Sequence, residues 1–320
     1  MCHRIYLSST GNPYENLAAE EYFCRSCTEG VTLFLWQNRD TVVIGKNQNS
    51  LRECDLAALR RDGVFLARRS TGGGAVFHDD GNLNFSLVFP SAELDKEPGY
   101  DLVQRALESL GISVERSGRN DLRVDNGKKV SGNAFRYSGG VTLHHGTLLV
   151  QSRTERMSDY LKPSFEKLQA HGVESVRARV TNLSCLKNLD VEDVKAALIR
   201  SFCAIYGETE AVEFTGCGET EEIARHLASD EWLYGRDPAA DVSLQRRFEW
   251  GSIELSLSIE KGAVKSLKVY TDALDPFLPE KLEKILLGCR FSPIAFSEAI
   301  AASDTEGRED LSAWLKSLSF

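Results

Sequence analysis

A chain of 320 residues has room for two domains or one large one, and its 42% hydrophobic and 27% charged residues are ordinary globular values that exclude disorder and collagen-like repetition. A formal net charge of −9 at pH 7 argues against a general nucleic-acid binder, which needs a basic surface to meet phosphates. No stretch approaches about 18 uncharged apolar residues, so no membrane-spanning helix is expected, and the opening Met1-Cys2-His3-Arg4 lacks an apolar signal core, which reads as an intracellular, cytoplasmic protein.

In chain order the pattern predicts a helix from Tyr14 to Cys27. Val31–Trp36 and Thr41–Ile44, rich in β-branched and aromatic residues, follow as strands. Asn82–Phe89 and Val141–Val150 read as strands, and Asp101–Leu110 as a helix stopped by Gly111. A second helix is expected over Val191–Tyr206, where Val194, Leu198, Ile199 and Phe202 recur at helical spacing before Gly207. From Glu208 to Asp241 ten acids face only Arg225 and Arg236, so nearly all of the charge deficit lies in what reads as a solvated segment between domains. Beyond it Ile253, Leu255, Leu257 and Ile259 alternate with polar residues. Glu260-Lys261-Gly262 supplies a turn, and Val264–Tyr270 returns as the second strand of a hairpin. Helices are expected to start near Pro279 and near Asp310. The organisation predicted is α+β, with a large domain over 1–240 and a small α+β module over 246–320.

Eight scattered cysteines in a chain without a secretion signal suggest reduced thiols rather than a disulfide frame. Cys24-Arg25-Ser26-Cys27 is a lone CxxC inside a predicted helix, where ordinary helix positions explain it better than zinc or redox use.

Chemistry concentrates between Arg68 and Val150. Arg68-Arg69-Ser70-Thr71-Gly72-Gly73-Gly74-Ala75-Val76-Phe77-His78-Asp79 places three glycines after a strand and a basic pair. Glycine permits positive φ and close approach to a ligand. Consecutive N–H groups form an anion nest, and an adjacent Arg can grip phosphate bidentately. The spacing matches neither the Walker loop nor the dinucleotide fingerprint, and taken alone it is equally compatible with a flexible hairpin. Next comes Ser117-Gly118-Arg119-Asn120-Asp121, followed by Lys128-Lys129-Val130-Ser131-Gly132-Asn133-Ala134. If the latter is extended, Lys129, Ser131 and Asn133 share a face and Lys128 points away; small polar companions beside a lysine suggest a ligand, although a lone strand lysine is usually solvated. In Leu143-His144-His145-Gly146-Thr147-Leu148-Leu149 the adjacent histidines face opposite sides, which disfavours a shared metal and leaves one inward His to bond a substrate or a loop.

Taken together, these motifs resemble the lipoate–protein ligase A family. Thr41-Val42-Val43-Ile44-Gly45, Arg177-Ala178-Arg179-Val180-Thr181-Asn182-Leu183 and Asp310-Leu311-Ser312-Ala313-Trp314 extend the likeness over nearly the whole chain. The resemblance implies a catalytic domain of mixed sheets flanked by helices, like biotin ligases and class II synthetase cores, with an accessory C-terminal domain. It implies a two-step reaction: lipoate and ATP, with Mg²⁺, give lipoyl-AMP and pyrophosphate. A lysine of an apo lipoyl domain, in 2-oxoacid dehydrogenase acyltransferase subunits or the glycine-cleavage H protein, then takes the lipoyl group.

By the same resemblance Lys129 contacts both the lipoate carboxyl and the α-phosphate. Arg69 holds phosphate, and Gly74, Ala75, Val76 and Phe77 line the nucleotide. Gly73 and His145 join Lys129 at lipoate, His78 and Asp79 brace the loop, and Asn120 or Asp121 positions nucleotide or Mg²⁺. Burial of four methylenes, worth roughly 3 kcal/mol, calls for a narrow apolar slot. Three alternatives stay open. One is an octanoyl or lipoyl transferase with a cysteine nucleophile, although no cysteine lies between Cys54 and Cys185. The others are a transferase that lacks the activation step and a non-catalytic nucleotide- or acyl-binding protein. No nucleic-acid or membrane partner is expected, and the chain reads as a monomer.

Overall fold

The apolar runs of the first 150 residues become strands because both faces of the sheet they build are covered. The computed structural model describes residues 2–162, 180–234 and 242–318. In chain order the first strands are β1 (Arg4–Ser8), β2 (Thr32–Trp36), β3 (Thr41–Ile44), β4 (Phe65–Arg68), β5 (Val76–His78) and β6 (Asn82–Pro90). They are followed by β7 (Glu115–Ser117), β8 (Asp121–Arg123), β9 (Lys129–Ser138), β10 (Val141–Leu149) and β11 (Ala211–Phe214). Eight of these form one sheet in the order β11-β1-β2-β6-β10-β9-β8-β7, and β4-β3-β5 form a small one. Both are mixed: β1 runs parallel to β11 and β2, β3 parallel to β4, and the remaining pairs are antiparallel. The expectation of mixed sheets flanked by helices is met.

Alternation divides the large sheet into two faces. Leu33, Leu35, Leu83, Phe85, Leu87, Phe135 and Leu148 share a core with Leu102, Val103 and Ala106 of helix Glu97–Ser109 and with Val194, Leu198 and Phe202 of helix Val191–Tyr206. Phe34, Trp36, Val88 and Leu143 share the other core with Leu17, Ala18 and Phe23 of helix Pro13–Ser26, and with Val43 and Ala67 of the small sheet. Sequence-local caps set these helices. Asn12 accepts from the Tyr14 N–H ahead of Pro13, and Asp190 and Asp193 exchange bonds in a capping box. Helix Glu97–Ser109 begins four residues before the predicted Asp101. Pro98 suits a first turn, and Gly99 is needed for close approach, since a Cβ there would lie 2.0 Å from His144 Nδ1.

The acidic stretch is not a solvated linker where it is described. It holds β11, helix Gly218–Leu227 and helix Asp230–Tyr234, and Ile223 and Leu227 enter the core beneath helix Pro13–Ser26. Glu219, Glu221 and Glu222 occupy the exposed side of helix Gly218–Leu227, whose amphipathic pattern composition alone does not distinguish from a polar loop. The predicted domain end at residue 240 and residues 177–179 of the motif that runs to Leu183 lie outside the described residues. Among the described residues no helix is long and apolar enough to cross a membrane.

Two compact units emerge: Met1–Ile44, Ser50–Arg69 and Ala75–Leu233 make one, and Gly45–Asn49, Ser70–Gly74 and Tyr234–Phe320 the other. In the second unit β12 (Val242–Phe248), β13 (Gly251–Glu260) and β14 (Ala263–Thr271) form an antiparallel sheet. The predicted hairpin is β13–β14, turning at Lys261 and Gly262 with φ of 53° and 76°. Helices Leu278–Leu286, Pro293–Ala301 and Arg308–Lys316 cover it through Leu282, Leu286, Phe296, Ile300, Leu311 and Trp314. Strand β12 escaped prediction, because its apolar alternation stops at Arg246 and Arg247. Residues 45–49 and 70–74 fold into this same unit. Thr271 N–H donates to Asn47 O at 2.8 Å, Gly73 N–H to Ala273 O at 2.9 Å, and Lys46 pairs with Glu280 at 2.9 Å.

Candidate functional site

Lys129 opens β9, where the strand departs from simple alternation. β8 and β9 pair Asp121 with Gly132 and Leu122 with Ser131, but Arg123 with Lys129, so Val130 is an extra residue at a bulge. The expectation that Lys129, Ser131 and Asn133 share a face is therefore corrected. Lys129 lies with Asp121 and Gly132 on one face. Asn133 lies on the other, bonding His144, whose ring packs on Tyr100. The Lys129 ammonium pairs with Asp121 Oδ1 at 2.8 Å, and Arg123 reaches the other carboxylate oxygen at 3.2 Å. The lysine arm crosses Gly132, where a Cβ would stand 2.7 Å from Nζ. This is a strand glycine kept for close approach. Asn120 is spent locally: its side chain donates to Asn133 O, and its own carbonyl accepts from the Asn133 backbone and side chain.

On the same face, one register row along, His145 Nδ1 meets Glu20 Oε2 at 2.7 Å. Ser86 Oγ donates to that oxygen at 2.6 Å and accepts from the Trp36 indole at 3.0 Å. Burial pushes the Glu20 carboxyl up, but the His145 charge and hydrogen bond, with Ser86 and Arg136, outweigh burial and leave it below the ordinary carboxylate range. Arg69 is buried, donates to Val43 O at 3.3 Å and is pushed down to about 10 by burial, against the opposing pull of Glu20, so it remains a cation at neutral pH. His144, behind the sheet, is held well below its usual range by burial. The two adjacent histidines thus do different work.

The turn that carries the chain from β5 of the small sheet to β6 of the large one is braced. Asp79 accepts from the Gly81 N–H at 3.0 Å and from the Arg153 backbone N–H at 2.7 Å. His78 Nδ1 meets Asn38 Nδ2 at 3.2 Å, and burial, then the charges of Arg69 and His145, push the imidazole down to about 3. The Phe77 ring stacks on Tyr160 at 5.5 Å, and Val76 pairs with Val43, with Ala75 half-buried just before it.

The first unit therefore gathers Arg69, Ala75, Val76, Phe77, His78, Asp79, Asn120, Asp121, Lys129 and His145, whereas Gly73 and Gly74 belong to the second. There Gly73 adopts φ 90°. A Cβ on Gly72 would meet Ala273 O at 2.3 Å, while around Gly74 there is open space.

Glu20, Trp36, Asn84 and Ser86 were missed as site residues. Their signal was present. Glu20 interrupts the apolar side of helix Pro13–Ser26, and Asn82, Asn84 and Ser86 alternate with Leu83, Phe85 and Leu87 along a strand buried on both faces. Among the described residues no group of three or more His, Cys, Asp or Glu side chains is placed to hold a metal ion.

Comparison with known proteins bears on this arrangement. The family described as "Lipoyl protein ligase A/B catalytic domain" matches residues 12–203, and "Bacterial lipoate protein ligase C-terminus" matches residues 237–315. The crystal structure of P. falciparum LipL1 in complex with lipoate superposes with a TM-score of 0.87 at 27% identity, covering 98% of this chain and 99% of that one. A lipoate-protein ligase A bound with ATP gives a TM-score of 0.63 at 31% identity over 73% of this chain and 99% of its own. The bipartite lipoate protein ligase of Thermoplasma acidophilum gives 0.63 at 30% identity over 75% and 100%. With a catalytic-domain match over more than half of its length and the bacterial C-terminal module after it, the chain belongs to the lipoate–protein ligase A family.

Proposed function

We propose that this protein activates lipoate with ATP and transfers the lipoyl group to a lysine of an apo lipoyl domain. A carboxylate oxygen of lipoate attacks the α-phosphorus, and the bond to the β-phosphate breaks, releasing pyrophosphate. The lysine amine then attacks the acyl carbonyl, loses a proton, and AMP leaves. Two anions must meet in the first step. The observation that carries the reading is the Lys129 ammonium, poised by Asp121 above Gly132 on the sheet face that holds His145 and Glu20. A cation there offsets charge developing at phosphorus and at the acyl oxygen. Arg69, still protonated at neutral pH, adds a second positive group. Relatives bound to lipoate and to ATP, and one described with its lipoyl domain, supply the ligand classes. Magnesium would enter with the nucleotide.

Lipoate-dependent exchange of pyrophosphate into ATP, together with the mass of an apo lipoyl domain after incubation, tests both steps. Lys129→Ala is expected to reduce exchange by about 10²- to 10³-fold, as for loss of one oriented donor to a transition-state oxyanion, with an unchanged melting curve. Wild-type exchange by that variant sinks the assignment. Transfer from synthetic lipoyl-AMP without exchange in the wild type selects an enzyme lacking the activation step.

A further inference from the structure

The tautomer of His78 is set by a relay of side chains. The backbone oxygens of Thr10 and Gln37 accept from Asn16 Nδ2 at 3.2 and 2.9 Å, which fixes the orientation of that amide, and the same nitrogen faces Asn38 Oδ1 at 3.0 Å. Asn38 is thereby left with its NH₂ toward His78 Nδ1, at 3.2 Å. An N–H donor facing Nδ1 makes that nitrogen the acceptor, and the proton of the neutral ring must sit on Nε2. Burial, which pushes this imidazole down to about 3, keeps it neutral. Nε2 is buried and has no hydrogen-bond partner. Asn84 Nδ2 and Asn82 Oδ1 are likewise buried without partners, at the free ends of an amide pair joined through Asn82 Nδ2 and Asn84 Oδ1 at 3.0 Å. Buried polar groups without partners are rare and costly, so His78 Nε2–H points to a ligand that completes it.

Their place along the sheet says which part of the ligand. Gly132, under the Lys129 arm, donates its N–H to Thr147 Oγ1 at 3.2 Å. Thr147 stands opposite Asn84 in the register, and Asn84 opposite Trp36. The His78 ring stands edge-on to Trp36 at 6.1 Å and 68°. From Gly132 to Trp36 is three strand spacings, about 14 Å. An acyl substrate with its carboxyl at Lys129 and its chain laid across the strands would present its tail, not its head, to Trp36, His78 and Asn84.

We propose that His78, held as an Nε2–H donor by Asn38, is a specificity-determining residue that favours a tail carrying sulfur lone pairs, the dithiolane of lipoate, over an all-carbon tail such as that of octanoate. Sulfur is a weak acceptor, but an alkyl tail leaves the donor wholly unsatisfied, and that penalty falls on octanoate. The inference rests on the acyl-ligase reading above.

The test is calorimetric binding of lipoate and of octanoate to the full-length wild type, His78→Leu and Asn38→Asp, with melting curves for folding. The carboxylate that Asn38→Asp introduces would accept from Nδ1–H and draw the proton off Nε2 without altering the pocket's volume. Both variants are expected to lower the lipoate-to-octanoate affinity ratio roughly tenfold. Imidazole ¹⁵N shifts should show the proton on Nε2 in the wild type and on Nδ1 in Asn38→Asp. An unchanged ratio in folded variants, equal affinities in the wild type, or a wild-type proton on Nδ1 overturns the proposal. Selective lipoate binding without pyrophosphate exchange would instead overturn the ligase reading and leave this one standing, and a wild type that binds neither acid removes both.

Discussion

At the scale of single residues, protonation is decided by burial. His78 is pushed down to about 3, and His144 lies well below the ordinary histidine value of 6.5. A histidine whose folded pKa is depressed costs the native state protons that the unfolded chain binds, so stability is full above about 6.5 and falls as pH drops below it. With two such rings the slope approaches about 2.7 kcal/mol per pH unit once the unfolded side chains are protonated. Between pH 7 and 5.5 the expected loss is about 2 to 3 kcal/mol. Denaturant titrations at the two pH values check it, and His144→Gln should remove roughly half of the difference. Glu20 does not confuse this window, since a carboxyl held below its ordinary range loses its contribution only as pH falls through that lower value. The identities of these residues were plain in the sequence. Their states were not, because desolvation depends on what the remainder of the chain packs around them.

At the scale of elements, helices Pro13–Ser26, Glu97–Ser109 and Val191–Tyr206 and the longer strands were legible, whereas β11, β12 and helices Gly218–Leu227 and Asp230–Tyr234 were not. Caps at Asn12 and Asp190, the apolar spacing of Val194, Leu198 and Phe202, and the Lys261-Gly262 turn are all local signals. The bulge at Val130 was not legible, and it decides where Lys129 points. One inserted residue moves a side chain across the sheet, and nothing in Lys129-Val130-Ser131 marks the insertion until β8 pairs with β9. Gly132→Ala probes this arrangement. A Cβ 2.7 Å from Lys129 Nζ must displace the flexible arm rather than the backbone, so pyrophosphate exchange should fall by about 10-fold or more, with a loss of stability under about 1 kcal/mol. Unaltered exchange would mean that the arm does not need its path across Gly132.

At the scale of the whole molecule, contacts and chain order disagree about where the glycine loop belongs. Residues 70–74 are sequence neighbours of β4 and β5 but fold with the second unit. Gly72→Ala would drive a methyl to 2.3 Å from Ala273 O and 2.5 Å from Leu274 O, both backbone atoms, whereas Gly74→Ala meets open space. The first substitution should cost the second unit about 1 to 3 kcal/mol, read as faster amide exchange in β13 and β14, and the second should leave exchange near wild type. Equal behaviour of the two variants would contradict the assignment of this loop.

The sequence by itself determined the inventory: the basic pair, the glycines, the lysine, the two histidines, and the alternation that makes adjacent histidines diverge. Those properties are local, carried by residue type and by a period of two or 3.6 along the chain. Tertiary structure alone decided that His145 meets Glu20 from 125 positions away, that Asn38 meets the buried ring of His78, and that Val130 swings Lys129 over Gly132. Each of these needs a register or a packed neighbour from a distant segment, and no periodicity within either segment encodes the pairing.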